Sequence, residues 1–430
     1  MNKPIICILL LSVFSTLFTG CFDKKEIDDQ TYVIAIGLDK GNTEPLKLTL
    51  QYAIPGSISN AGGGGVSNKK LASITIDSPT LISGIAMANG FIGKNFNISH
   101  AVAVIVSEEL AKEGFSRYMY GMARGRDFRP NMYIAVCRDS AEAYLNSINP
   151  VQESDPSKYY QLIFAEYRNT GFTANTNFFR FYNSMESLEE QPVAVLAGLS
   201  KYKNSTEFSL RNSTAPKKGR KVPLEGDFKA GDLSKTGDQN GELMGLAIFD
   251  GDKVIGELDG EECRDYLIVT GNLYSSYVSM PDPNAPGNYI ILNIKQSRKP
   301  EIKVTLLKDK PQISINLQLE ADISSIQSGI NYEATDKLDD LENYSEAFMT
   351  GSISSFIDRT INNYGSDICG FGKEAKKKFL TYEQWKDYKW LKKYKNSVYA
   401  ITLDVKIRRP GLLLRLFPPD KICEQKESLK

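Results

Sequence analysis

The stretch HAVAVIVSEELAKEG, residues 100–114, indicates the fold of the first half of the chain. Its apolar run 100–106 predicts a strand that is buried on both faces. Ser107 is a suitable N-cap, and the two acids after it suit the positive end of a helix that begins there. A second helix is predicted over 115–123 and a second strand over 132–137, so strands and helices alternate as in an α/β layer.

The strand patterns in the rest of the chain indicate sheets with one solvated face. A long amphipathic helix is predicted over 333–364, where Gly351 is expected to introduce a kink. The expected fold class is therefore α+β, that is, a mixed α/β protein of three domains. Its sheets are expected to be mostly antiparallel and covered by helices, with the long amphipathic helix in the C-terminal domain. A strand is predicted at 32–38, and strands with period-two alternation are predicted at 46–54, 302–306, 313–319 and 397–408.

Changes in composition suggest where the domains begin and end. Polar residues dominate 201–240, which is therefore predicted to be a linker or long loop. The expected units are a signal peptide at 1–20, an N-terminal mixed α/β domain at 21–200, the linker, a small strand-rich middle domain at 241–295, a C-terminal α+β domain at 296–411 and a tail at 412–430.

The N-terminus has the features of a lipoprotein signal. Lys3 precedes an apolar run at 5–18, and Thr-Gly-Cys follows at 19–21. Because the run is shorter than the roughly 20 residues that span a bilayer, we expect cleavage before Cys21 and a diacylglyceryl group on its thiol, with N-acylation left open. Phe18 stands where leucine is more common in such signals. The alternative is an ordinary secretory signal with an unmodified Cys21.

Composition argues against several classes of function. The chain of 430 residues has 52 basic and 52 acidic side chains, so its overall charge does not favour nucleic acid. His100 is the only histidine, and neither GxSxG nor HExxH occurs, so we expect no enzyme and no cofactor. Metal ligation is not expected either, because the cysteines after the signal are far apart. Disulfide pairing is left open for Cys137, Cys263, Cys369 and Cys423.

Two basic clusters admit a functional interpretation. Arg124, Arg126 and Arg129 could bind an anion, but salt bridges to nearby acids are the favoured interpretation. The basic patch 217–221 could touch an anionic headgroup, although a solvated loop is favoured there. His100 is expected to be a hydrogen-bonded structural residue at the start of its buried strand.

Four segments, taken in order, resemble one protein family. They are CFDKKEIDDQTYVIAIGLDK from residue 21, HAVAVIVSEELAKEG with RGRDFRP after it, GLAIFDGDKVIGEL at 245–258, and YGSDICGFG at 364–372 followed by VYAITLDVKIRRPG at 398–411. Together with the lipidation signal, they resemble the Ger(x)C family of spore germination lipoproteins, the C subunits of GerA-type nutrient germinant receptors. The stretches 201–240 and 412–430 depart from the family pattern.

The resemblance implies a three-domain mixed α/β fold, a lipid on Cys21 and assembly with the receptor A and B subunits in the spore inner membrane. It also identifies 365–372 as the family's glycine-aspartate-glycine turn, with Cys369 at a variable position. The hypothesis is a non-enzymatic, lipid-anchored receptor subunit on the outer face of that membrane, active in assembly or signal transmission. The alternative is an extracytoplasmic solute-binding lipoprotein that binds the nutrient directly; a lipid-anchored hydrolase is a more distant rival.

Overall fold

The computed structural model describes residues 4–5, 26–54, 70–150, 153–200, 217, 222–233, 235, 237, 240–307, 310–332 and 335–409. Within these ranges the chain forms two β-sheets, one of nine strands and one of five, with helices packed on them. Seven of the twelve strand pairings described are antiparallel and five are parallel. The predicted mixed α+β class is therefore confirmed. Cys21, Cys423 and the predicted tail lie outside the described residues.

The first sheet has a parallel centre and antiparallel wings. Its order is β3-β2-β1-β5-β6-β7-β8-β9, with β4 paired to the start of β1. Strands β1, β5, β6 and β7 run parallel, whereas the β1–β2–β3 and β7–β8–β9 pairings are antiparallel. The strands are β1 Gln30–Lys40, β2 Leu46–Ala53, β3 Leu71–Ser78, β4 Asn95–Asn97, β5 Ala103–Ser107, β6 Tyr133–Cys137, β7 Val193–Leu199, β8 Gly241–Asp250 and β9 Lys253–Leu258.

Helices cover both faces of this sheet because its central strands are apolar on both sides. Four helices share one core with residues such as Val104 and Val106: α1 Leu81–Ile92, α2 Glu108–Glu113, α3 Ser116–Arg124 and α7 Phe178–Met185. The opposite face packs against α4 Ala141–Ser147 and α5 Pro156–Ala165, and α6 Tyr167–Thr170 follows α5. The predicted cap is confirmed, since the Ser107 hydroxyl accepts a hydrogen bond from the Leu110 amide.

The second sheet has one face on the core and one toward solvent. Its long strand β13 pairs antiparallel with β11 and β12 and parallel with β14, so the chain makes a crossover between β13 and β14. Leu403, Val405 and Ile407 are buried at alternate positions, as predicted. The strands are β10 Ser276–Pro281, β11 Tyr289–Gln296, β12 Glu301–Leu307, β13 Lys310–Ile326 and β14 Val398–Arg409.

The crossover contains the predicted long helix. It is α-helical over α9, Thr335–Asp358, and continues as a π-helical segment over Arg359–Tyr364. The change of pattern thus lies at Arg359, eight residues beyond Gly351, where a kink was predicted. The helix α8, Gly260–Thr270, joins the two sheets, and α10 Gly372–Lys376, α11 Tyr382–Tyr388 and α12 Trp390–Lys393 precede β14.

The strands of the predicted middle domain, 241–295, are divided between the two sheets. Strands β8 and β9 extend the first sheet, whereas β10 and β11 belong to the second. The local hairpins were recognisable, but β8 pairs with β7 across more than 40 residues, and local alternation carries no information about that partner. Part of the predicted linker is also packed: Ala230 is fully buried, and its carbonyl accepts a hydrogen bond from Arg138.

Candidate functional site

The turn at 365–372 is built around a buried carboxylate. One oxygen of Asp367 accepts hydrogen bonds from the amides of Gly370, 2.8 Å, and Phe371, 3.1 Å. The other accepts from the Gly372 amide and the Trp390 indole, both at 2.8 Å. Burial raises the pKa of Asp367 to about 6, and the four donors oppose that rise. Asp367 is therefore ionised at neutral pH and fixes the turn.

This turn joins the second half of the chain to the first sheet. The Asp367 carbonyl accepts a hydrogen bond from the Gln191 amide, and the Ser366 hydroxyl donates to the Phe249 carbonyl, both at 2.8 Å. Lys373 forms an ion pair with Glu190 at 2.6 Å. The family-like motif thus lies at the joint between the two sheets, which we call the sheet junction.

The helix α8 brings charged side chains into the sheet junction. Nine of its eleven residues are buried, and four of those nine are charged. The helix begins with a capping box in which Asp259 and Glu262 satisfy each other's backbone amides. The buried charged residues of α8 are Glu261, Glu262, Arg264 and Asp265. Buried charges are costly unless they are paired, so their partners determine the stability of this region.

Two cations from distant parts of the chain neutralise these acids. Lys217 lies 2.6 Å from Glu261 and 3.0 Å from Asp259, and Arg359 pairs with Glu262. Burial opposes the charge of Lys217, but the two carboxylates outweigh it and raise its pKa. Lys217 is therefore held at the sheet junction, in contrast to the solvated loop that was favoured for its basic patch.

Asp265 differs from the other acids of α8. One oxygen of its carboxyl group accepts a hydrogen bond of 2.6 Å from the Ser352 hydroxyl of α9. Burial is the main cause that raises the pKa of Asp265 to about 8, with a further contribution from the charge of Glu261. The nearby cations Arg264 and Lys217 reduce this rise without cancelling it. Asp265 is consequently protonated at neutral pH.

Two clefts border α8. The larger, of about 710 Å³, lies between α8 and α9 and includes Lys217, Glu262, Tyr344, Phe348 and Arg359 in its lining. The second, of about 490 Å³, lies between α7 and the turn at 365–372 and is lined in part by Arg180, Tyr266, Cys369 and Lys373. Both combine cationic, acidic and aromatic groups, a lining that suits a small polar or zwitterionic molecule.

The cysteines for which disulfide pairing was left open form no disulfide within the described part of the chain. Cys137, Cys263 and Cys369 are free thiols, and the first two are fully buried, as expected. Burial raises the pKa of the Cys137 thiol to about 12, so it is a poor nucleophile and metal ligand. In the described ranges, no group of three or more His, Cys, Asp or Glu side chains could hold a metal ion.

Other predicted residues fall at the surface. His100 is exposed, lies three residues before β5 and contacts the Tyr32 ring edge-on at 4.8 Å, so it is not part of the buried strand. Arg124, Arg126 and Arg129 are exposed, and no described carboxylate forms the predicted salt bridges with them. None of the described helices combines the length and apolarity that crossing a membrane requires.

The charged core of the sheet junction was missed from the sequence. The helix itself was predictable, since a short helix is expected over 259–267 and Asp259 and Glu262 have capping-box spacing. No local signal predicts that the acids of α8 are buried, because charged residues on a short helix ordinarily face solvent. Their cations come from 217 and 359, and such long-range pairs have no sequence signature.

Two family models match the chain on either side of the polar stretch. The spore germination protein N-terminal domain matches residues 23–199, and the model described as spore germination B3/GerAC like, C-terminal, matches 244–411. The chain is 20% identical to the putative spore germination protein YfkR of Bacillus subtilis (strain 168) over 423 residues, which is 96% of this chain and 99% of that protein.

Two further relatives from the same organism align over shorter regions. Spore germination protein KC is 26% identical over 35% of this chain and 38% of its own length. Spore germination protein A3 is 41% identical over 16% of this chain and 18% of its own length. The crystal structure of the GerBC protein aligns with 86% of this chain and 96% of its own at 14% identity and a TM-score of 0.48. With both family models matched in order over most of its length, the chain belongs to the Ger(x)C family of spore germination proteins.

Proposed function

We propose that this protein is the lipid-anchored, non-enzymatic C subunit of a spore nutrient germinant receptor. It assembles with the A and B subunits on the outer face of the spore inner membrane and takes part in receptor assembly or signal transmission. The observation that carries the proposal is the match of both family models in order, the first of which begins at residue 23, two residues after Cys21.

A lipid on Cys21 would suit this role energetically. Each buried methylene contributes about 0.8 kcal/mol, so two acyl chains hold a protein where one is marginal. Tethering also confines the folded body to the membrane surface, which raises its effective concentration beside membrane-bound partners. The protein could then assemble through contacts that would be too weak for association in solution.

The substitution Cys21→Ala tests the anchor. We expect the variant to leave the membrane fraction of spores and to slow nutrient-triggered germination, while germination by agents that bypass the receptor is unchanged. Cys423→Ala is the matched control, because it removes a thiol outside the lipidation signal. Normal membrane retention and a normal nutrient response of Cys21→Ala would refute the proposal.

Purification of the native protein from spore membranes tests the partners. In a mild detergent, we expect the A and B subunits of one receptor to co-purify with it in a constant ratio. A preparation in which membrane partners are absent, from spores that still germinate normally on nutrient, would count against the role of a receptor subunit.

Direct nutrient binding is the second candidate function. The cleft of about 710 Å³ favours it, since Arg359 and Glu262 offer both charges that a zwitterion requires. These groups already pair with each other, so a ligand would have to compete with an existing ion pair. Calorimetry of the full chain against amino acids and sugars distinguishes the two: saturable binding that Arg359→Gln abolishes would support the solute-binding alternative.

A further inference from the structure

The helix α1 presents an apolar face to solvent. Its sequence, LISGIAMANGFI, has no charged residue, and one side packs on the first sheet through Leu81, Ile85 and Ala88. The other side leaves Phe91 73% exposed and Ile82 51% exposed. Met87, Ala86 and Gly90 are also exposed on that side. A surface helix ordinarily carries polar residues on its outer face, so this one is unusual.

The outer side of α1 is open within the described structure. A methyl group built at Gly90 would meet no described atom within 4 Å. With twelve residues, α1 is about 18 Å long, shorter than the roughly 30 Å hydrocarbon core of a bilayer. Such a helix can lie along a membrane surface but cannot cross it.

Cationic side chains accompany this apolar face. The helix α3 packs beside α1 in the same layer, and residues 116–130 contain four arginines and one acid. All four arginines are exposed, and no described carboxylate forms an ion pair with any of them. They are Arg117, Arg124, Arg126 and Arg129. Arg117 lies over the Tyr118 ring at 4.9 Å. Exposed apolar side chains in the same layer as arginines that have no described carboxylate partner suit a surface of anionic phospholipid.

The described segment that begins at Glu26 lies close to the C-terminal end of α1. Only two residues lie between the end of α1 and the start of β4, and Asn95 of β4 pairs with Gln30 at the start of β1. Four residues lie between Cys21 and Glu26, and the five residue steps that join them span at most about 18 Å in an extended chain. A lipid on Cys21 would thus hold the bilayer near Phe91.

From these observations we infer that α1 is a second membrane contact: its face of Ile82, Met87 and Phe91 lies in the headgroup region of the bilayer, and the arginines of 116–130 contact anionic lipid headgroups. This inference rests on the proposed lipid anchor at Cys21. It adds that the protein has a fixed orientation on the membrane, with the first sheet's α1–α3 layer facing the lipid.

Depth-dependent quenching tests the inference on the full-length lipidated protein. The variant Phe91→Trp is reconstituted in vesicles of phosphatidylcholine and phosphatidylglycerol, with or without brominated acyl chains. We expect Trp fluorescence at position 91 to shift to the blue and to be quenched by the brominated lipid. Leu380→Trp is the matched control, since Leu380 is 95% exposed and belongs to the second half of the chain. The native Trp385 and Trp390 are buried and give a constant background.

Each other outcome has a defined meaning. If the protein floats with the vesicles but the residue-91 signal is no more quenched than the control, the inference is wrong. A blue shift that requires the A and B subunits and occurs without quenching assigns the face to a partner protein and overturns it. A blue shift in the absence of vesicles would show that another part of this chain covers the apolar face of α1, and that result also overturns the inference. Failure to float at all refutes the anchor of the proposed function, and this inference falls with it.

The arginines provide an independent arm. The double variant Arg124→Glu and Arg126→Glu, in the Phe91→Trp background, should reduce quenching on vesicles that contain phosphatidylglycerol and leave it unchanged on phosphatidylcholine alone. Equal quenching on both kinds of vesicle, with and without the charge reversal, would show that the arginines do not contact lipid headgroups.

Discussion

Replacing Asp265 by Asn should stabilise the protein at neutral pH. Asp265 is 3% exposed, and burial raises its pKa from the ordinary value of 3.8 to about 8. In the folded protein the carboxyl group is therefore protonated at pH 7, whereas in the unfolded chain it is ionised. Folding must take up a proton, which costs free energy at pH 7. Asn resembles the protonated acid in shape and charge, and its oxygen can accept the hydrogen bond from Ser352.

The size of the effect follows from the two pKa values. Each pH unit between 3.8 and 7 adds about 1.4 kcal/mol to the free-energy cost of folding, because only the unfolded state has lost the proton in that range. The full cost at pH 7 is thus about 4 kcal/mol, and relief of part of it by Asn should raise the free energy of unfolding by about 2–4 kcal/mol. The sign is fixed: the contribution of Asp265 to stability is fully present below pH 3.8 and is lost as pH rises toward 8.

Urea unfolding of the full chain at several pH values measures this effect. Between pH 5 and pH 8 the wild type should lose stability relative to Asp265→Asn as pH rises, and the two curves should converge only as the pH falls to the ordinary pKa of 3.8. Asp404→Asn is the control, because that side chain is 46% exposed. The reasoning is refuted if Asp265→Asn is less stable than the wild type at pH 7, or if the difference does not change with pH.

Two further substitutions probe the sheet junction. Gly372→Ala should destabilise the protein by more than about 2 kcal/mol, since the new methyl group would lie 2.2 Å from a backbone carbonyl oxygen. Gly351→Ala, in open space on α9, should stabilise the protein by about 0.5–1 kcal/mol. Thermal unfolding of the two variants compares these effects. Lys217→Met should cost about 1–2 kcal/mol in urea unfolding, because buried Glu261 loses the Lys217 cation while water screens part of the loss. Lys295→Met should cost under about 0.5 kcal/mol, because the Lys295 side chain is 51% exposed and its ion pair with Asp322 is screened. Equal effects within either pair would contradict the described packing.

Local signals predicted the elements of this fold well. Period-two alternation located β2, β12, β13 and β14, and the Ser107 cap located the start of α2. Alternation identifies which side of a strand is buried, but it does not identify the neighbouring strand. The parallel pairing of β13 with β14 and the pairing of β7 with β8 therefore could not be predicted, and the strands of 241–295 were assigned to a separate domain.

The candidate site shows the same limit for side chains. The turn at 365–372 was recognised because its glycines and Asp367 are consecutive in the sequence. The burial of Glu261 and Glu262 could not be recognised in the same way, because their cations are supplied from positions 217 and 359. A polar stretch resembles a linker whether it is solvated or contributes one lysine to a buried pair. Composition alone cannot separate these cases.

The sheet junction joins the regions matched by the two family models into one folded body. The models end and resume on either side of residues 200–243, yet the Gln191 amide donates to the Asp367 carbonyl and Ser366 donates to the Phe249 carbonyl. Strand β8, which begins three residues before the second model, pairs with β7 from the first. Separating the halves there would leave buried polar groups unpaired on both sides, a cost of about 1–3 kcal/mol for each group. The two halves therefore depend on each other for stability, and the membrane contact proposed for the first half would also fix the orientation of the second.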